Sequence, residues 1–255
     1  MARYSYDQAW EQERARLAGI EAMWEPGSRA LLTALGVGPA WRCLEVGAGG
    51  GALVEWLAER GASVVATDLD PRFVEPLAGP AVDVRQHDIT TGPPEPDAFD
   101  LVHARLVVEH LADTRGAVAN MAAALRPGGW LVVEDYDWTG FGGDPPDALF
   151  DRIGAGVLGF MATAGFDPLY GRRVVSDVAA AGLEDVRGEG RHLVIDDAHP
   201  GFSFFRLSFE ALKGGAIAKG TMAAADADAF TARLAEGGLR VISPAVVAGI
   251  GRRPA

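Results

Sequence analysis

The sequence predicts one α/β domain built on a mostly parallel sheet, and three observations predict it. An apolar run at residues 41–46 ends in Gly47-Ala48-Gly49-Gly50-Gly51, and a helical pattern over 52–59 leads to a second apolar run at 63–67. This strand, glycine loop, helix, strand succession is the βαβ unit of a parallel sheet. The alternation then continues, giving five strand patterns within the first 134 residues. Finally, no Pro/Ser-rich linker divides the 255 residues, a length that one domain with a substantial core can use in full.

Taken in order, residues 6–24 have helical periodicity, with Trp10, Leu17, Ile20 and Met23 on one face and Glu11, Arg14 and Glu21 largely outside it. Pro26-Gly27 is expected to end that helix, and Ser28 to cap a second one reaching Gly36. Residues 82–85, 99–103 and 130–134 read as the third, fourth and fifth strands. A helix over 111–125 precedes the fifth strand and closes at Arg126-Pro127-Gly128-Gly129. Later helices are expected at 149–160, 176–181, 201–212 and 223–236, with a sixth strand inside 183–194. A final strand spans 239–250, where Pro244 argues against regular central pairing at that point.

Charge and cysteine usage narrow the function classes. Asp and Glu total 35 against 23 Lys and Arg, a formal charge of -12, which disfavours a nucleic-acid partner because phosphate contacts need clustered basic side chains. Cys43 is the only cysteine, so the chain has no internal disulfide, which suits a reducing, cytoplasmic compartment. Neither a signal-type apolar segment nor a run of membrane-spanning length is present, so no membrane partner is expected. The five histidines, at 87, 103, 110, 192 and 199, lack zinc-site spacing, and no metal is expected from them; a magnesium site built from ligands distant in sequence stays open.

The glycine loop carries the most chemistry. Consecutive glycines let the backbone turn sharply and approach a ligand, beside the free N–H groups of the next helix. Gly47-x-Gly49-x-x-Ala52, with Asp68 at the spacing of a ribose-binding acid, also satisfies a dinucleotide fingerprint, leaving a nicotinamide-dependent oxidoreductase as an alternative. No Gly-Lys-Ser/Thr follows, which excludes a Walker A loop.

The segment Leu44-Glu45-Val46-Gly47-Ala48-Gly49-Gly50-Gly51 resembles the first motif of class I S-adenosylmethionine-dependent methyltransferases. Asp68, Asp88 in His87-Asp88-Ile89, Phe99-Asp100-Leu101-Val102 and Leu125-Arg126-Pro127-Gly128-Gly129-Trp130-Leu131 follow in the family's order, so the resemblance covers about residues 41–135. It implies a Rossmann-like, seven-stranded, mostly parallel sheet with an antiparallel last strand. It also implies a helical lid over residues 1–36, in which Trp10, Glu13 and Arg14 cover the cofactor, and substrate-covering segments at 136–170 and 196–236. The acid-rich strand ends at Glu45, Asp68, Asp70 and Asp88 suit a cofactor with an ammonium and a sulfonium better than a pyrophosphate.

The resemblance assigns S-adenosyl-L-methionine as cofactor and S-adenosyl-L-homocysteine as product. Gly47, Gly49 and Gly51 form the loop, Glu45 contacts the cofactor or orients that loop, Asp68 with Leu69 holds the ribose side, and Asp88 with Ile89 the adenine. Ala104 offers a carbonyl to the methionine ammonium, and Arg105 either contacts the cofactor carboxylate or forms a structural ion pair. The bland readings stand beside these: Asp68 and Asp88 as turn or helix caps, Cys43 as a core thiol.

The second half holds most of the eleven phenylalanines, which suit an apolar pocket or a subunit interface, leaving a homodimer open. Tyr136, Trp138, Phe141 and Phe205 are the expected pocket wall, and His199, Asp137 and His110 the candidate bases. The expected reaction is O-methylation of a small apolar or aromatic molecule, of the kind found in natural-product tailoring. N- or C-methylation, and a degenerate module that only binds protein, are the alternatives.

Overall fold

The computed structural model describes residues 12–255; the expected contribution of Trp10 lies outside them. The chain runs α1 (Glu13–Ala34), β1 (Arg42–Val46), α2 (Ala52–Glu59), β2 (Ser63–Asp68), β3 (Val82–Gln86), β4 (Phe99–Arg105), α3 (Thr114–Ala124) and β5 (Leu125–Asp137). Then come β6 (Gly142–Gly143), α4 (Ala148–Ala162), α5 (Val174–Ala180), β7 (Glu184–Arg191), β8 (Val194–Asp196), α6 (Phe202–Lys219), α7 (Ala224–Glu236), β9 (Arg240–Ile242) and β10 (Ala245–Arg252). Seven strands form the main sheet in the order β3-β2-β1-β4-β5-β10-β7. β10 is antiparallel to both neighbours and the pairs from β3 to β5 are parallel, so the expected architecture is present.

The two faces of the sheet follow from the period of two along each strand. Leu44, Val46, Val102, Ala104, Leu131 and Val133 belong to the core that α3 and α5 complete. Cys43, Leu101, Val132 and Ala248 belong to the opposite core, shared with α2 and the end of α1. Continuing along that second face toward the carboxyl ends of the strands, apolar residues give way to Glu45, His103 and Glu134, all buried. A third cluster joins the covering helices α4, α6 and α7 to Trp24 and Tyr136.

Two elements differ from expectation. The first helix does not stop at Pro26: α1 is one helix with this proline inside it. Interior proline costs about 3 kcal/mol, but Met23, Trp24, Ser28, Leu31 and Leu32 are buried on both sides of it. Ser28 is therefore no N-cap; its hydroxyl donates to the Glu134 carboxylate and lies 3.2 Å from the Trp24 carbonyl. Arg14 is exposed and Met23 buried, as the helix face predicts, but Glu21 turns toward α2 rather than solvent, and Glu13 and Arg16 are buried.

The last strand is divided. Residues on either side of Ser243-Pro244 belong to different sheets, β9 pairing with β6 and β8 in a small three-stranded sheet while β10 enters the main one. Proline has no N–H to give a ladder, and the switch of sheets falls where that donor is missing.

α1 crosses α6 closely at Gly19, where a Cβ would lie 2.4 Å from Ser203 Oγ and 2.6 Å from the Phe204 backbone nitrogen. Gly19→Ala gains about 1 kcal/mol of helix propensity but forces the helices apart, at about 1–3 kcal/mol. The expected net result is a lower urea midpoint with unchanged m-value. Adding Ser203→Ala should not restore it, because the Phe204 backbone remains in the way.

Candidate functional site

A cavity of about 200 Å³ lies at the carboxyl ends of β1, β2, β4 and β5. Open α/β sheets place ligands there because each strand end is followed by a loop free to carry contacts. Eleven of the residues expected at the site line it: Glu45, Gly47, Gly49, Asp68, Leu69, Asp88, Ile89, Arg105, His110, Tyr136 and Trp138.

The glycine loop is held from two sides. Gly51 precedes α2 with φ +93°, a left-handed conformation that costs other residues dearly. It lines no part of the cavity, so its place in the loop is one of backbone geometry. The Gly49 amide donates to Asp68 Oδ2 at 3.0 Å, and the Asp70 amide to Asp68 Oδ1 at 3.0 Å. Burial raises the Asp68 carboxyl above its ordinary range against these backbone donors. From α1, Glu21 accepts the first amide of α2, Ala52, at 3.2 Å, and burial raises this carboxyl too. Asp88 caps the turn after β3 through Thr90, which outweighs burial and lowers its pKa, while the residue still faces the cavity.

Beneath this loop lies a buried charged layer. His103 Nδ1 meets Glu45 at 2.7 Å and its Nε2 meets Glu134 at 3.2 Å. Glu134 also accepts from Ser28 and Arg191, while Arg105 donates to Ser28 at 2.8 Å and to Glu25 at 2.8 Å. Burial alone would lower the His103 pKa, but the Glu45 and Glu134 carboxylates raise it to about 9. Burial would raise Glu134, yet His103, Arg191 and Arg105 pull it down to about 2. Burial also raises Glu45, so Glu134 is the firmly ionised partner of the imidazolium.

Where β4 and β5 end, Glu109 and Asp135 are buried near one another. Burial, reinforced for Glu109 by Asp135, raises both carboxyls well above the usual range. Glu109 accepts the Tyr136 amide at 3.1 Å and Asp135 the Val108 amide at 3.2 Å. His110 packs on Phe166, and burial with the nearby Arg16 pushes its pKa down to about 3, so its imidazole is neutral.

Five expected site residues lie off this cavity's lining besides Gly51. Ala104 is fully buried in the sheet core, because β4 runs two residues beyond the expected 103, to Arg105. Asp137 accepts from Thr139 and from Arg172 at 3.1 Å; these partners outweigh burial and lower its pKa, leaving it a poor base. His199 Nδ1 accepts the Gly201 amide at 3.0 Å in the turn that precedes α6. Phe141 and Phe205 stack on each other, centroids 5.4 Å apart, and line a second cavity instead. His199→Ala and Asp137→Asn are each expected to leave turnover within about twofold of the parent. The loss of this turn hydrogen bond in H199A, about 1 kcal/mol, is readable in urea unfolding.

Arg16, Glu21 and Glu109 line the cavity without having been expected there. Nothing in the periodicity of α1 marks Arg16 or Glu21, since charged residues at helical spacing normally face water. Glu109 directly precedes the candidate base His110, and nothing else in the sequence marks it.

The donor set suits S-adenosylmethionine. Glu21, Glu45 and Asp68 surround the loop, and the amides of Gly49 and Ala52 are already taken by carboxylates. A pyrophosphate would meet three acids there, whereas an ammonium, a sulfonium and ribose hydroxyls find acceptors. Arg105 and Arg16 are paired with Glu25 and Glu13, so the cavity keeps an acidic balance. Among the described residues no group of acids, histidines and cysteine is placed to hold a metal ion, and no helix is long and apolar enough to cross a membrane.

Residues 44–133 match the family model described as a methyltransferase domain. Methyltransferase str2 of Strobilurus tenacellus is 35% identical over 148 residues, 55% of this chain and 52% of that protein. The ubiquinone biosynthesis O-methyltransferase of Methylobacterium sp. (strain 4-46) is 32% identical over 163 residues, 51% of this chain and 65% of that one. The chain thus spans between half and two thirds of the length of these relatives. A Bacillus halodurans structure assigned as a methyltransferase covers 89% of this chain and 98% of its own at TM-score 0.59 and 17% identity, a likeness of fold. Residues 44–133 are thus similar to a methyltransferase domain, and the seven-stranded sheet with its antiparallel β10 gives the chain a fold like that of the Bacillus halodurans structure.

Proposed function

We propose that this chain transfers the methyl group of S-adenosylmethionine to an oxygen atom of a compact apolar or aromatic small molecule. The observation that carries the reading is one cavity with two chemistries: a glycine loop with Asp68 at one end, and Tyr136, Trp138, Phe166 and Phe204 at the other. A relative whose name specifies O-methylation in ubiquinone biosynthesis supports the acceptor atom. The acidic total charge disfavours a polyanionic substrate, and the single cysteine suits the cytoplasm.

When bound, the cofactor supplies an electrophilic methyl carbon on a sulfonium. Asp68 would receive the ribose hydroxyls, Leu69 and Ile89 would flank the adenine with Asp88 toward its amino group, and Arg105, which also holds Glu25 and Ser28, would be the guanidinium offered to the methionine carboxylate. The aromatic wall orients the acceptor and excludes water, and positioning of this kind contributes up to about 7–11 kcal/mol. His110 and Glu109 face this cavity, but burial leaves the imidazole a weak base and the carboxyl holding its own proton, so positioning rather than proton removal carries this reading.

The test is incubation of the protein with methyl-labelled cofactor and a small-molecule panel, with the label located by mass spectrometry. Label on a hydroxyl oxygen is expected. Label on nitrogen or carbon would overturn the reaction type, and label only on protein or nucleic acid the substrate class.

A further inference from the structure

Beside the cofactor cavity lies a second one of about 60 Å³, several times the roughly 10–15 Å³ that one water needs. Trp138, Met161 and Phe204 line both cavities, so the two are contiguous. The remaining walls come from α4, α6 and α7, with Phe141 stacked on Phe205 and in ring contact with Phe150. Arg206 is the only charged residue in this lining, and it is exposed.

Two polar atoms break the apolar surface. Ser208 Oγ and Trp138 Nε1 are buried and have no hydrogen-bond partner, although both residues line the second cavity. Ser208 is more than nine-tenths buried. Buried polar groups in folded proteins almost always have partners, and an orphan pair at one cavity calls for a reason. An indole N–H only donates, so its partner must be an acceptor; a serine hydroxyl can either donate or accept. An ammonium would find neither a carboxylate nor a free acceptor pair here, and an anion no buried cation.

We infer that the second cavity is the acceptor's distal subsite, and that it takes an uncharged, flat apolar or aromatic body carrying a carbonyl or ether-type oxygen. That oxygen accepts from Trp138 or Ser208, while the group to be methylated lies on the cofactor side of Trp138. The inference rests on the methyltransferase reading for its orientation, but the cavity's ligand preference can be measured without turnover.

The probes are 2-acetylnaphthalene and 2-ethylnaphthalene, matched in shape and differing in the carbonyl. Titration calorimetry of the full chain, saturated with S-adenosylhomocysteine, is expected to give at least tenfold tighter binding of the ketone. Ser208→Ala should reduce that preference about three- to tenfold, and S208A with Trp138→Phe should abolish it. Val157→Phe fills the cavity and should weaken both probes at least tenfold. S-adenosylhomocysteine binding should be unchanged in S208A and V157F, which also reports that they fold. Equal binding of the two probes, a preference that survives the double variant S208A with Trp138→Phe, or undiminished binding to V157F would overturn the inference while leaving the methyltransferase reading intact. Failure of the folded parent to bind S-adenosylhomocysteine would instead overturn that reading, with the probe titrations still deciding the cavity's preference.

Discussion

Between about pH 6 and about pH 9.5 the protein is expected to lose about 3 kcal/mol of stability through one imidazole. His103 has a folded pKa of about 9 against an ordinary 6.5, because Glu45 and Glu134 outweigh the burial that opposes its charge. A raised pKa means the folded state binds the proton more tightly than the unfolded chain. The contribution is therefore complete below pH 6.5, falls as pH rises, and is gone above pH 9. Urea unfolding at several pH values checks this, with His103→Gln as comparison. The variant should be less stable at about pH 6, by about 3–5 kcal/mol since a buried carboxylate loses its partner, and should lack the alkaline decline. A decline of equal size in both proteins would assign the effect elsewhere. At the acid end Glu134 acts in the opposite sense, its contribution present above pH 4.5 and lost as pH falls toward about 2.

Asp68→Ala is expected to weaken S-adenosylhomocysteine binding at least about a hundredfold. Two hydrogen bonds from ribose hydroxyls to a carboxylate are worth about 1.5–3 kcal/mol each, and every 1.4 kcal/mol is tenfold. The variant also releases the amides of Gly49 and Asp70, so part of the loss comes from a looser glycine loop. Asp68→Asn keeps one acceptor oxygen and should lose less, about tenfold. Calorimetry separates these cases; affinity within a few-fold of the parent in D68A would remove this residue from the cofactor's contacts.

The cofactor half of the chain was legible because each of its signals is local. Strands buried on both faces appear as apolar runs, and Gly47 to Gly51, Gly61 and Gly128-Gly129 punctuate them within a few residues. The charged layer was not legible, for the opposite reason. Glu25, Ser28, His103, Glu134 and Arg191 come from four elements spread across the chain, and each alone looks like an ordinary polar position. Pro26 reads as a break in the sequence because the cost of an interior proline is a local quantity, whereas the burial that offsets it is tertiary. The two-residue β6 has no pattern to detect, so the small sheet, and with it the partner of β9, could not be anticipated. His199 lies off the cavity, and a histidine in a polar loop gives no sign that its ring nitrogen will accept the amide two residues on.

Gly27 lets α1 settle onto the sheet, since a Cβ there would lie 2.8 Å from the Arg191 guanidinium that reaches Glu134. With Trp24 bonded to Tyr136 at 2.7 Å and Glu21 fastened to the start of α2, residues 13–34 form a doorpost rather than a door. Lifting this helix would break the charged layer and uncap α2 in the same motion, an event as large as unfolding much of the sheet's second face. Its backbone amides near Trp24 should accordingly exchange with solvent only as fast as the whole molecule opens. Ligand traffic must then use a boundary of the cavity that yields more cheaply, and the rim at Leu69, 47% exposed, already faces solvent. On that account turnover and global stability are decoupled: stiffening the α1–α6 crossing should protect the protein from denaturant without slowing the departure of S-adenosylhomocysteine.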